Sequence, residues 1–109
     1  MSGKKQHEQA EITALVRGVQ SGNDAALPAL LACFSPLMEK TLSSFRKTTV
    51  LASVDKDELW QELLICLYKA ALRYDLTQST VTFGLYFSIC MKRRLISIKR
   101  RIERQEKKV

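Results

Sequence analysis

The sequence predicts an all-α fold, a compact bundle of four to five helices closed by a long basic C-terminal helix. Three observations carry this. Apolar residues recur at spacings of three and four along most of the 109-residue chain, the period of a helix with one buried face. Gly occurs only four times and Pro twice, and few β-branched runs alternate with polar residues, which argues against strands joined by turns. The charge is segregated: positions 92–109 hold nine Lys or Arg against two Glu, which equals the whole net charge of +7, while positions 1–91 balance nine against nine. A hydrophobic share of 46% is enough for one small core, and the length indicates one domain.

Taken in order, positions 1–10 have no apolar period and are expected to be a flexible N-terminus, with a helical domain over 11–105 and a flexible basic end over 106–109. Ile12, Leu15, Val16 and Val19 share one helix face. Ser21-Gly22-Asn23-Asp24 stops that helix and offers Asp24 as the next N-cap. The second helix runs through Leu27, Leu30, Leu31 and Phe34, with Pro28 in or near its first turn, where few donors are lost. Ser35-Pro36 either kinks this helix or begins a third, with Ser as cap and Pro in the first position. Leu37, Met38, Thr41, Leu42 and Phe45 continue the apolar face, and positions 47–54 read as a loop. Asp55-x-x-Glu58 resembles a capping box with Asp in place of Ser or Thr, and its helix should run to about Tyr74. Positions 76–82 have turn composition. Thr82 caps the last helix, which runs from Phe83 into the basic tail.

Two helices carry more on their outer faces than folding requires. Over 55–74, Leu59, Leu63, Cys66, Leu67, Ala70 and Tyr74 make the core face. The opposite face holds Glu58, Gln61, Glu62, Ile65, Lys69 and Leu72, flanked by Leu64 and Tyr68. An acidic, amide and apolar strip of this kind suits a partner-binding helix, unless another helix of the same domain covers it. In the last helix, Phe87, Met91, Leu95, Ile98 and Ile102 form the core stripe. Lys92, Arg93, Lys99, Arg100 and Arg104 gather on the other side with Tyr86, Ile89 and Ile96. Long basic stems lie beside apolar groups while their heads reach phosphates, and aromatic groups beside such charges suit unstacked bases. A basic helix end also complements the helix dipole, but nine cations exceed what the dipole needs. Nucleic acid is the favoured polyanion over a membrane surface, because the apolar residues of this helix read as core and no Trp lies among them.

The same residues speak against other classes. No apolar stretch approaches ~18 residues, the length of a membrane span, and no apolar run follows Lys4 and Lys5 as a signal peptide requires; a cytoplasmic place is expected. His7 is the single histidine, and no phosphate-binding Gly loop, metal-ligand spacing or nucleophile elbow occurs, so no enzyme, cofactor or metal site is expected. Asp55, Asp57, Glu58 and Glu62 are read as a cap, an acidic first turn and a docking face rather than a cation site. Cys33, Cys66 and Cys90 form no C-x-x-C pair and are expected as reduced, mostly buried thiols.

The run Asp55-Lys56-Asp57-Glu58-Leu59-Trp60-Gln61-Glu62-Leu63-Leu64-Ile65-Cys66-Leu67-Tyr68-Lys69-Ala70 resembles region 2 of the bacterial sigma-70 family, whose pattern is D-L-x-Q-E-x-x-x-G-L-x-K-A. The family's next features, an aromatic ending that helix, then F-x-x-Y, then a basic helix, look like Tyr74, Phe83-Gly84-Leu85-Tyr86 and Met91-Lys92-Arg93-Arg94-Leu95-Ile96. Upstream, positions 15–27 are similar to the family's lead-in, G-[DN]-x-x-A-[FL] between two helices. The resemblance covers positions 11–105 and implies a bacterial transcription initiation module. Such a module docks on the coiled coil of the β′ subunit of core RNA polymerase and captures the non-template strand of the promoter −10 element.

Carried over by position, the polymerase-binding face is Glu58, Gln61, Glu62, Leu64, Ile65 and Tyr68. The DNA-binding group is Phe83, Tyr86, Lys92, Arg93, Lys99, Arg100 and Arg104. The chain departs from the family at Leu63, Leu64 and Cys66, where small or polar residues are frequent. It departs again at Ile89 and Cys90, where housekeeping members carry a Trp pair that wedges the duplex. Two forms stay open: part of a longer sigma factor, or a stand-alone region-2-like regulator that binds polymerase or DNA nonspecifically without opening promoters. The second form needs another protein to supply −35 recognition, or acts as a regulator encoded on a mobile element; an anti-sigma factor is the other partner the resemblance implies.

Overall fold

A computed structural model describes residues 2–48 and 50–107 of the chain. Helix α1 is Ser2–Gln20, α2 is Ala26–Thr48, a 3₁₀ turn spans Val50–Ser53, α3 is Lys56–Arg73 and α4 is Phe83–Lys107. The fold is all-α, and no strand occurs among the described residues.

Helix α1 buries Val16 and Val19 and packs Ile12 and Leu15 against the same core. It ends where Gly22 takes φ 82°, a left-handed conformation open to glycine at little cost. The Asn23 N–H then donates to the Gly18 carbonyl at 2.9 Å. The side chain that turns the chain into α2 is Asn23, whose Oδ1 accepts from the Ala25 N–H at 3.0 Å, rather than Asp24 as the sequence suggested. An Asn side chain reaches the backbone two residues ahead, so the position before Asp24 already closes the turn. Gly18 lets the two helices meet: a Cβ there would lie 2.8 Å from that of Ala26.

Helix α2 runs through Pro36 without a new helix beginning there. Pro36 is exposed while Phe34, Met38 and Leu42 on the inner face are buried, so packing on both sides of the proline outweighs its missing donor. Among the described residues of the loop expected over 47–54, most are helical. Helix α2 continues to Thr48, and the 3₁₀ turn buries Leu51 fully. Arg46 Nη2 donates to the Val54 carbonyl at 3.2 Å, and Ser53 Oγ donates to the Val50 carbonyl at 2.7 Å.

Helix α3 starts at its expected cap, Asp55, whose Oδ1 accepts from the Asp57 N–H at 2.8 Å. Helix α4 starts at Thr82, whose Oγ1 accepts from the Leu85 N–H at 3.2 Å. Val16, Leu30, Met38, Leu42, Leu51, Leu59, Leu63, Leu67, Phe87, Met91 and Leu95 are fully buried, each such side chain worth roughly 1.5–3 kcal/mol over an exposed one. Phe34 binds the layers together, its ring edge-on to Phe83 at 5.4 Å and to Phe87 at 5.6 Å. Gln20, the last residue of α1, donates from Nε2 to the carbonyls of Ala71 at 2.9 Å and Tyr74 at 2.8 Å. It thereby ties down the end of α3, where helix carbonyls lack partners. The cysteines are less buried than expected: Cys33 is exposed on the outside of α2, and Cys66 and Cys90 are half-buried. Among the described residues no helix is long and apolar enough to cross a membrane.

Candidate nucleic-acid interface

Helices α3 and α4 run antiparallel. Glu62, early in α3, pairs with Arg94, midway along α4, at 2.8 Å, and Tyr74 at the end of α3 stacks on Tyr86 near the start of α4, ring centres 5.6 Å apart. The connector between them is braced by its own side chains. Asp75 Oδ1 accepts from the Thr77 N–H at 2.9 Å and from its hydroxyl at 2.6 Å. Gln78 Oε1 accepts from the N–H groups of Thr80 and Val81, and its Nε2 donates to the Val81 carbonyl. The Tyr74 hydroxyl donates to that same carbonyl. The hydroxyl and backbone of Thr77 hold the exposed Asp75 carboxylate below its usual range.

Along this seam two adjoining hollows, about 530 and 330 Å³, share Arg73, Tyr86, Cys90 and Arg93. Lys69 and Arg94 line the second and Ile89 the first, where Asp75 is the sole acidic residue. The groove thus combines an aromatic ring, apolar walls and several cations around one acid, the composition that a single strand with its bases unstacked requires. The hydrogen bond that Arg94 donates to Glu62, with burial opposing it, raises Arg94 above the ordinary guanidinium value, so Arg94 is a fixed cation tied to α3.

The structure divides the sequence-predicted DNA group. Tyr86 and Arg93 stand in the groove. Arg100 and Arg104 follow them on the same helix face at steps of seven and four residues, and both are exposed. Arg104 Nε leans back on the Arg100 carbonyl at 3.4 Å. Lys92 turns the other way, into a hollow against α2 with Lys40 and Phe45. Lys99 lies on the Lys92 side and pairs with Glu103 at 3.3 Å. Phe83 is corrected outright: it is 3% exposed between Phe34 and Tyr74, so no base can reach its face. An aromatic residue at a helix start next to an apolar stripe reads equally as ligand or core, and here the core claims it.

The docking strip is also trimmed. Gln61 and Glu58 are exposed, and Ile65, Tyr68 and Leu72 remain 49, 46 and 43% exposed. Leu64 instead packs against the core, one residue on from the fully buried Leu63. Glu62 keeps about a third of its surface open but is engaged by Arg94. The reading from sequence missed Arg73 as a groove residue and assigned Lys69 to the outer strip. Their spacing of four residues, with Cys66 seven before Arg73, places all three on one side of α3 and is the signal that was available. No protein-family model, curated protein or solved structure matches this chain.

Proposed function

We propose that the chain is a transcription initiation module of the sigma region 2 kind, without chemistry of its own. The outer strip of α3 (Glu58, Gln61, Ile65, Tyr68 and Leu72) docks on the β′ subunit of core RNA polymerase. The α3/α4 groove then holds the non-template strand of the promoter −10 element. The observation that carries this reading is the convergence of Tyr86, Arg93, Lys69 and Arg73 on one groove, along the edge of α3 that borders the exposed strip. One helix could therefore meet polymerase and DNA at once. Arg100 and Arg104 extend the cationic track ~16 Å beyond Arg93 at 1.5 Å per residue, the reach of a few nucleotides. Stacking supplies affinity with little sequence preference, and phosphate contacts make it salt-dependent.

A second reading is favoured by the burial of Phe83 and by Ile89 and Cys90 at the positions of the family's Trp pair. In it the protein binds polymerase and already exposed single strand but does not melt duplex DNA. Photo-crosslinking tests the first reading. A −10-like single strand with a photoreactive base, mixed with the protein and core polymerase, should label the peptide carrying Tyr86. Labelling confined to the Lys92 side of α4 would contradict it, and labelling only of a pre-opened bubble, never of a duplex promoter, selects the second.

A further inference from the structure

The antiparallel register of α3 on α4 places two cysteines opposite each other. Glu62 meets Arg94 at 2.8 Å. One helical turn further along each chain, four residues forward on α3 and four back on α4, the facing positions are Cys66 and Cys90. One turn beyond that stand Ala70 and Tyr86, which line the same hollow as both cysteines. Cys66 and Cys90 are half-buried, so a small oxidant can reach them while their backbones stay fixed by the helices. Small side chains also let the two helices approach, and a disulfide needs Cα atoms within about 7 Å.

We propose that Cys66 and Cys90 are a redox-modification site, a dithiol that a hydroperoxide converts reversibly to a disulfide joining α3 to α4 across the floor of the groove. The step balances with hydrogen peroxide. The Cys90 sulfur attacks one peroxide oxygen, the O–O bond breaks, and hydroxide leaves with the thiol proton as water. The resulting sulfenic acid is attacked by the Cys66 sulfur, the S–O bond breaks, and a second water carries away the Cys66 proton. Two thiols lose two electrons and the peroxide gains two. The order follows from the surroundings: burial, then the neighbouring Cys90, pushes the Cys66 thiol up, so Cys66 gives up its proton less readily and acts second, as the resolving sulfur. The site stands whether or not the groove binds DNA, since it rests on the register alone.

The test uses the full chain with Cys33→Ser, which removes the exposed thiol on α2 as a source of intermolecular links. Reduced protein is exposed to hydrogen peroxide and read by intact mass and peptide mapping. The expected result is joint loss of both thiols, a mass lower by two hydrogens, and a peptide pair linking Cys66 to Cys90 that a dithiol reductant separates. Adding Cys66→Ser or Cys90→Ser should abolish the internal link and leave oxygen adducts at the remaining cysteine. Independent oxygen adducts at Cys66 and Cys90 in the parent, with no internal link, overturn the proposal. Because the parent protein itself gives this reading, poor folding of either variant does not shield it.

Discussion

Arg94 donates from Nε to Glu62 Oε2 at 2.8 Å, and this bond marks the register of the α3/α4 face. In the same register Tyr86 stacks on Tyr74 and Arg93 lines the groove. Arg94 and Glu62 each keep about a third of their side-chain surface open, so the contribution of their bond to stability is modest, about 1 kcal/mol. Glu62→Gln should lower Tm by roughly 4–8 °C, and Glu62→Lys, which sets two cations together, should lower it further. The raised Arg94 value means that this stability is fully present below the ordinary guanidinium pKa and is lost only as pH rises through the folded value. The Tm difference between wild type and Glu62→Gln should therefore be the same at pH about 6 and about 9, as thermal melts will show.

Asp75 carries the opposite sign. Its pKa is lowered by bonds from Thr77, so the bracing of the connector is complete above the unfolded value of 3.8 and is lost as pH falls through the lower folded value. The Thr77 amide resonance should titrate with a midpoint below 3.8. In Asp75→Asn that titration should vanish.

Phe83 and Tyr86 are three residues apart but should fail in different ways. Phe83→Ala empties a site bounded by Phe34, Tyr74 and Phe87 and should cost about 3–5 kcal/mol in chemical denaturation. Tyr86→Ala removes a half-exposed ring and should change the denaturation midpoint much less while weakening single-strand binding.

On the strip proposed for polymerase, Ile65 and Tyr68 are the two most exposed apolar members. Replacing both with Ser should reduce retention of core polymerase in a pull-down by tenfold or more, the range of interface anchors, with helicity by circular dichroism unchanged. Retention at the wild-type level would remove the strip from the account. Gln61 and Glu58 are better charge or polarity probes than Glu62, whose replacement also loosens the seam.

Much of the fold was legible because local rules and packing agreed. Asp55 and Thr82 cap the helices they were expected to cap, and the stripe Phe87, Met91 and Leu95 is buried as its period implies. What stayed open or was missed lies where tertiary contacts decide. Pro36 could end a helix or sit within one, and Phe34, Met38 and Leu42 settle that from the other side of the helix. The 3₁₀ turn around Leu51 has no period of its own; it is held by Arg46 reaching the Val54 carbonyl. The candidate site was half legible. Tyr86 and Arg93 followed from the pattern of α4 alone; Lys69 and Arg73 share one side of α3 by their spacing, but that this side meets Tyr86 and Arg93 depends on the pairing of α3 with α4. The same pairing spends Glu62 on Arg94, while Phe34 of α2 and Tyr74 bury Phe83; the sequence context of Glu62 and Phe83 fitted exposure equally well.

The central claim is that the α3/α4 groove binds single-stranded promoter DNA. Its most direct test is the equilibrium affinity of the protein, with core polymerase present, for a fluorescent −10-like single strand across a salt series. The account predicts that Tyr86→Ala with Arg93→Ala weakens binding by tenfold or more, since stacking on one aromatic is worth about 1–3 kcal/mol. It also predicts that loss of one phosphate contact shallows the salt slope by about one unit. Lys92→Ala, on the far side of α4, should change little. Affinity unchanged in the double variant, or lost equally with Lys92→Ala, would contradict the account.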